Sequence, residues 1–597
     1  MNYNLKEYDE HGWAHIHHAS FRGYVKSIDK FCQADKTQLE YETSDSLRLT
    51  PLLVAVLGGR PDAVDSLVKL GAKVDSVDAR GHGVTELAAL GENVEVLSYF
   101  LRNLKDGLNV WTRLLRLISS DPLEEELEAV TSCVRELIDP EERFSDPTNR
   151  NSIVDEGFVP VLIQALRSTA SNVARETVLQ ILRLLLMIGK SEHSEEELDA
   201  TDIRALVRAS AFECGLVTIL IRQLKSPTSG IVRLSSELLN DLCHTQGYAS
   251  DAYDKGAIPA LVGAIQRGDS DSATLVEVVE ALGTIVGGNP VYQSSLGHIQ
   301  GAVQDMTRLY ERTTDRALLL SLTTVVVKAV HGHEENQLRF VDAGIATSLI
   351  VLLRGRNKDL QGAAVEAVHR LAEDNPEAQR RLKDFGVVGP LLATLSKLRQ
   401  PTIQQTIARA LWAIAGDDLE ELHEMSFRIG SKQLVEFLTS YSEDLQFIGS
   451  EALGLLSRFS VQEGEQATLE SPRSNRTKGI PRDKLTQGIP RIQDIQRTQS
   501  TSQRTQGSSQ RTESTESAVP PLVRLLGSPQ EKIVLSVIRT LRYLSVRPGY
   551  VAQPANQTAL GQARGLKLLV AIMVHASSTL LQAESAFTIA CASLGKW

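Results

Sequence analysis

A chain of 597 residues is too long for one globular core, and 42% hydrophobic residues with only 5% aromatics suit stacked helices joined by medium aliphatic side chains. The formal net charge of −11 sets an acidic surface against phosphate backbones, so no nucleic-acid partner is expected. Five scattered cysteines (Cys32, Cys133, Cys214, Cys243, Cys591) with no CxxC pair argue against a disulfide framework or a zinc module and favour a reducing compartment.

The opening residues lack the apolar core of a signal peptide, and no stretch reaches 18 uninterrupted apolar residues. The expectation is a soluble chain without membrane insertion, in the cytoplasm, with the nucleus an open alternative. Composition does not set its oligomeric state.

Along the first hundred residues one pattern recurs. Its copies are Gly12-Trp13-Ala14-His15-Ile16-His17-His18-Ala19, then Leu49-Thr50-Pro51-Leu52-Leu53-Val54-Ala55, then Gly81-His82-Gly83-Val84-Thr85-Glu86-Leu87-Ala88. The middle copy continues into a helix at Ala63–Leu70 and Gly71-Ala72-Lys73-Val74-Asp75. Thr50 can cap the helix that Pro51 opens, and Gly71 can end the next one in a left-handed conformation. These residues resemble ankyrin repeats, whose signature is G-x-T-P-L-H-x-A followed by a second helix and G-A-x-V-D. The first and third copies depart from it at Thr-Pro. The resemblance implies a structural hydrogen bond for His17, so the cluster His11, His15, His17 and His18 is not read as a metal site.

Beyond residue 108 the period lengthens. Glycines 157, 215, 256, 301, 344, 386 and 430 each precede a Leu-rich helix, at spacings of 58, 41, 45, 43, 42 and 44 residues. The long first interval holds an acidic insertion, Ser191–Asp202, expected to be a surface loop. Between the glycines lies a second signature, Ala367-Val368-His369-Arg370-Leu371-Ala372 and Ala410-Leu411-Trp412-Ala413-Ile414-Ala415 among its copies. Together they resemble armadillo repeats, a short helix and two longer ones stacked in a superhelix, with glycine at the sharp turn. The expected fold is all-α, an α-solenoid in which a short ankyrin stack runs into a right-handed armadillo superhelix.

The expected layout is an ankyrin region at 1–104, armadillo repeats at 105–460, a linker at 461–517 and further armadillo repeats at 518–597. The linker is rich in Ser, Thr, Gln, Arg and Pro and buries too little to offset chain ordering, so disorder is expected there. Ser or Thr precedes Gln at Thr486, Thr498, Ser502, Thr505 and Ser509, a density that resembles checkpoint-kinase substrates, with the last four as candidate phosphosites; the plainer reading is compositional chance. The chain stops just after an apolar helix, Ala583–Leu594, without an evident polar cap, so either a fragment or an incomplete gene model is expected.

No phosphate-cradling loop, H-E-x-x-H or G-x-S-x-G occurs, so no catalytic, cofactor or metal residues are named and no enzyme is expected. In armadillo proteins the third helix of each repeat lines the concave groove. The groove register here holds Asp241, Thr284, Lys328, Arg370, Ala413, Leu455 and Tyr543. Importin-alpha-like receptors carry an Asn ladder there; its absence disfavours a cargo receptor. Lys328, His369 and Arg370, beside Trp412, instead resemble a beta-catenin-like groove, in which cations hold an extended acidic segment and an aromatic anchors it. The plainer reading is a solvated helix face.

Ankyrin copies leading directly into an armadillo array resemble the ankyrin and armadillo repeat-containing protein family. The expectation is a protein-interaction scaffold. The alternatives are a transport receptor, or the substrate-recognition part of a larger enzyme complex.

Overall fold

The structure, a computed structural model, describes residues 7–104, 108–186, 197–268, 270–398, 400–459, 518–547 and 549–595, with backbone alone at 197–202 and Gln246. It is an all-α solenoid. The only strands among these residues are Val546–Arg547 and Val551–Ala552, paired antiparallel with Val546 opposite Ala552. No single described helix is long and apolar enough to cross a membrane. The chain divides into two compact units, Met1–Asp305 and Met306–Trp597.

The first unit opens with three helix pairs, His15–Arg22 with Val25–Ala34, Pro51–Leu57 with Pro61–Leu70, and Val84–Leu90 with Val94–Asn103. Each pair follows a tight turn begun by an aspartate. Asp9 accepts from the amides of His11 and Trp13 at 3.0 and 2.8 Å, Asp45 from Leu47 and Arg48 at 2.9 and 3.1 Å, and Asp78 from Arg80 and His82 at 2.8 Å each. Three residues after each aspartate the backbone turns left-handed, at Gly12, Arg48 and Gly81. The turns pair edge to edge through Ser44 N–H to Gly12 O and Ala79 N–H to Leu47 O, both 2.9 Å.

His17 performs the role the ankyrin resemblance implies. Its Nδ1 accepts the Ala14 amide at 2.9 Å, which leaves the proton on Nε2 to donate to Tyr41 O at 2.6 Å. In the third copy Glu86 replaces it, accepting the Gly83 amide at 3.1 Å. Thr50 caps its helix by accepting the Leu53 amide, with Pro51 at the first helical position. The third helix pair packs directly on Val110–Ser119 and Glu124–Ile138, where Arg113 meets Glu86 at 3.3 Å.

From there the unit repeats three helices. Pro147–Asp155, Phe158–Ser168 and Asn172–Leu186 form one set, and Gln246–Asp254, Ala257–Arg267 and Ser272–Val286 another. The set between them corrects one expectation: the acidic insertion is not a loop throughout, because the helix Glu197–Glu213 takes in its second half. Val207 and Ala211, four residues apart and each 1% exposed, give that helix the buried stripe that stabilises it.

In the second unit the sets are Glu334–Asp342, Ile345–Arg354 and Lys358–Ala372, then Pro376–Asp384, Val388–Lys397 and Pro401–Ala415, then Leu419–Ile429, Ser431–Leu438 and Glu443–Phe459. The first two helices of the first set cross at 77°, with Gly344 at φ 86° between them. All seven marker glycines have positive φ. In the last set (Pro554–Gln562, Gly565–His575, Thr579–Ser593) Arg564 takes the left-handed position instead, at φ 60°. The adjacent Gly565 is required for space, since a Cβ there would lie 2.3 Å from Leu560 Cδ1.

The Ser/Thr/Gln-rich segment, with Thr498, Ser502, Thr505 and Ser509, lies outside the described residues. The third helices on either side of it stack directly. Ser450 Oγ and Ser536 Oγ share a hydrogen bond of 2.6 Å, and Thr540 Oγ1 donates to Ser450 O at 2.8 Å. Gly454 permits this approach, because a Cβ there would lie 2.7 Å from Thr540 Oγ1.

Candidate partner-binding groove

Within each unit the third helices of consecutive repeats lie side by side, and their polar residues link one helix to the next. In the first unit Arg183 Nε meets Glu237 Oε1 at 2.5 Å, and Thr284 Oγ1 donates to Asn240 Oδ1 at 2.6 Å. Asp241 is held at 2.9 and 3.1 Å by Arg204 and Arg208 of the helix Glu197–Glu213. It is therefore a closed ion-pair triad rather than an open acceptor for a partner. The signal for this was two arginines four residues apart, one helical turn, just beyond the insertion Ser191–Asp202 that reads as a loop.

In the second unit Lys328 and Arg370 share one register on the successive helices Arg316–Val330 and Lys358–Ala372, and both are half-buried. Trp412, half-buried, follows on Pro401–Ala415. Arg370 is engaged on two sides: Nε donates to Glu366 Oε1 at 2.7 Å, and Nη1 to Glu373 Oε2 at 3.0 Å and Oε1 at 3.3 Å. Nη1 also approaches Nδ1 of His331 at 3.2 Å. Burial by itself would lower the Arg370 pKa; the hydrogen bonds and charges of Glu373 and Glu366 outweigh it and raise the pKa. For Glu373, burial opposes ionisation, and Arg370 with His369 and His331 more than reverses that.

His369 does not belong to the exposed floor that the sequence suggested. It is 5% exposed beneath the packing of Lys358–Ala372 on Pro401–Ala415, and neither ring nitrogen has a partner among the described residues. Burial lowers its pKa, with Arg409 adding to the effect.

Tyr543 is likewise engaged within the chain. Arg542 lies over its ring at 5.0 Å and over Phe587 at 4.8 Å, while Arg539 and Arg542 both hold Glu584. These contacts form a third-helix rung that joins Glu531–Ser545 to Thr579–Ser593. Gln405 and Asp444 make another at 2.9 Å. The carboxylates that tie these cations were missed in the sequence, although Glu366 and Glu373 stand one helical turn either side of Arg370.

No family model matches the chain. Over 177 residues it is 30% identical to a Homo sapiens protein and 29% identical to a Mus musculus protein, each named "Ankyrin and armadillo repeat-containing protein". The chain is similar to the ankyrin and armadillo repeat-containing proteins. The matched stretch is 30% of this chain but spans only 12% of the length of those relatives. The crystal structure of an engineered protein matches 81% of this chain and 99% of its own length, with a TM-score of 0.58 at 18% identity, a likeness of fold. Ankyrin and armadillo repeats are an architecture suited to binding other proteins along their stacked surface.

Proposed function

We propose that this chain is a non-catalytic protein-interaction scaffold, and that the third-helix row of its second unit holds an extended segment bearing carboxylates. The observation that carries this reading is the shared register of Lys328 and Arg370 on successive third helices, with the half-buried Trp412 next in the row. Two cations in register suit a run of carboxylates along an extended chain, and an indole supplies an apolar anchor.

The test is fluorescence anisotropy with a labelled peptide alternating Glu and Val, against one alternating Gln and Val, on the full chain and on the Lys328→Glu/Arg370→Gln double variant. Gln is chosen at 370 because a third carboxylate beside Glu366 and Glu373 would disturb the fold by itself. The native chain should prefer the acidic peptide, and the double variant should lose at least about tenfold in affinity, which corresponds to 1.4 kcal/mol. Its circular dichroism should be unchanged. Equal affinity of both proteins for the acidic peptide would refute the reading.

A further inference from the structure

We infer that Glu373 is a built-in competitor for the partner: it occupies, from within the chain, the Arg370 guanidinium that the partner's carboxylate would take. The inference rests on the groove reading above and concerns how that groove is restrained.

Three observations carry it. Glu373 places both carboxylate oxygens on one nitrogen, Nη1 of Arg370, at 3.0 and 3.3 Å, while Glu366 takes Nε. Among the described residues Nη2 makes no hydrogen bond, so it is the remaining donor. A carboxylate grips guanidinium best with two parallel bonds, which need two neighbouring nitrogens. With Nε and Nη1 both taken, an incoming carboxylate has Nη2 alone and meets a like charge beside it.

Glu373 is also anchored where it competes. It is the first residue beyond Lys358–Ala372, and its carbonyl oxygen accepts the Gln337 side-chain amide at 3.0 Å. Its backbone is thereby fixed, and only its side chain is free to yield. Its side chain is 28% exposed and that of Arg370 is 22% exposed, so the pair is reachable from solvent and exchange needs no unfolding. A partner therefore binds by displacing Glu373, and its affinity is reduced by whatever that pair contributes.

Neutralising Glu373 should free one face of Arg370. The experiment is the same anisotropy titration on the full chain, comparing Glu373→Gln with Glu377→Gln. Glu377 pairs with Arg380 and Arg381 on the neighbouring first helix, so its variant removes the same charge away from the row. Glu373→Gln should tighten acidic-peptide binding by about three- to fivefold, the scale of a partly exposed ion pair, and Glu377→Gln should leave it unchanged. Unchanged affinity in Glu373→Gln, with the Lys328→Glu/Arg370→Gln variant still binding more weakly than the native chain, would overturn the inference and leave the groove reading standing. Equal gains in both glutamine variants would also overturn it, since net charge would then explain them. Failure of native chain and Glu373→Gln alike to prefer the acidic over the Gln-Val peptide would overturn the groove reading and the inference together. Circular dichroism on each variant excludes misfolding as the cause.

Discussion

The Gln337 side-chain amide donates to the carbonyl oxygen of Arg370 at 2.8 Å, reaching from the first helix of its repeat to the end of the third. It also reaches Glu373 O at 3.0 Å, and its own oxygen accepts from Asn375 Nδ2 at 2.9 Å. Beside it, Asn336 Nδ2 donates to Ala329 O at 3.0 Å, the end of the preceding third helix. Asn556 and Gln557 repeat the arrangement, bonding Leu544 O and Cys591 O. A helix leaves its last carbonyls without internal partners, and these amides satisfy them inside the stack. Gln337 is 1% exposed, so water cannot readily take its place. Gln337→Leu should cost about 2 to 3 kcal/mol, read as a lowered thermal midpoint of the second unit. A midpoint equal to native would show that the carbonyls find other partners.

Gly344 separates conformational cost from steric cost. Its φ is 86°, and a Cβ at this position would have nothing within 4 Å. Gly344→Ala therefore should destabilise by about 1 to 2 kcal/mol through the backbone alone. Gly454→Ala should destabilise through crowding of Thr540 instead, with no left-handed backbone involved. Relief of the second by Thr540→Ala, without relief of the first, is the expected outcome of a double-mutant comparison.

The repeat positions were legible because the same physics recurs at each of them. A left-handed turn demands glycine, so Gly157 through Gly430 could be read directly from their spacing. Where the chain meets that demand with another residue, as at Arg48 and Arg564, the signal fades although the geometry persists. The aspartate three residues before each ankyrin turn was equally periodic, and it marks the first copy more clearly than the departed Thr-Pro pair does. The groove was legible only as a register. Periodicity shows which residue faces the row, but not which neighbour neutralises it. Asp241 is closed by arginines more than thirty residues away, and His369 is buried by a helix in the next repeat. Such pairings depend on how helices distant in sequence pack, within a repeat for Asp241 and between repeats for His369, which the spacing of one helix does not contain.

His369 should make stability fall in mild acid. Its folded-state pKa is depressed by burial and by Arg409, with Arg370 adding to this, and Glu366 and Glu373 opposing. The unfolded chain takes up the proton near its ordinary value of about 6.5, before the folded chain does. Stability contributed by the neutral ring is thus fully present above about pH 6.5 and declines as pH falls below it, by at most about 1.4 kcal/mol per pH unit. His369→Leu should remove this slope and the two unpartnered ring nitrogens together. The measurement is the difference in thermal midpoint between variant and native chain from pH 7.5 to 5.5. A difference independent of pH would show that the ring does not titrate against folding.

Glu277 predicts the opposite trend. It lies half-buried in the third-helix row of the first unit, and burial, then Glu237 and Glu280, raise its carboxyl from 4.5 to about 7. Arg233 and Arg183 only partly offset this. A raised carboxyl means the folded chain holds a proton that the unfolded chain has released. The penalty of ionising it is therefore absent below about pH 4.5, grows as pH rises, and is complete above about pH 7. Glu277→Gln keeps the shape and removes the charge. Because solvent reaches a half-buried group, the gain should be about 1 kcal/mol at pH 8, shrinking toward zero at pH 5. Thermal midpoints of the two proteins at both pH values decide it. An equal gain at pH 5 and pH 8 would mean that glutamine packs better there, and that the crowding of Glu237, Glu277 and Glu280 costs the fold nothing.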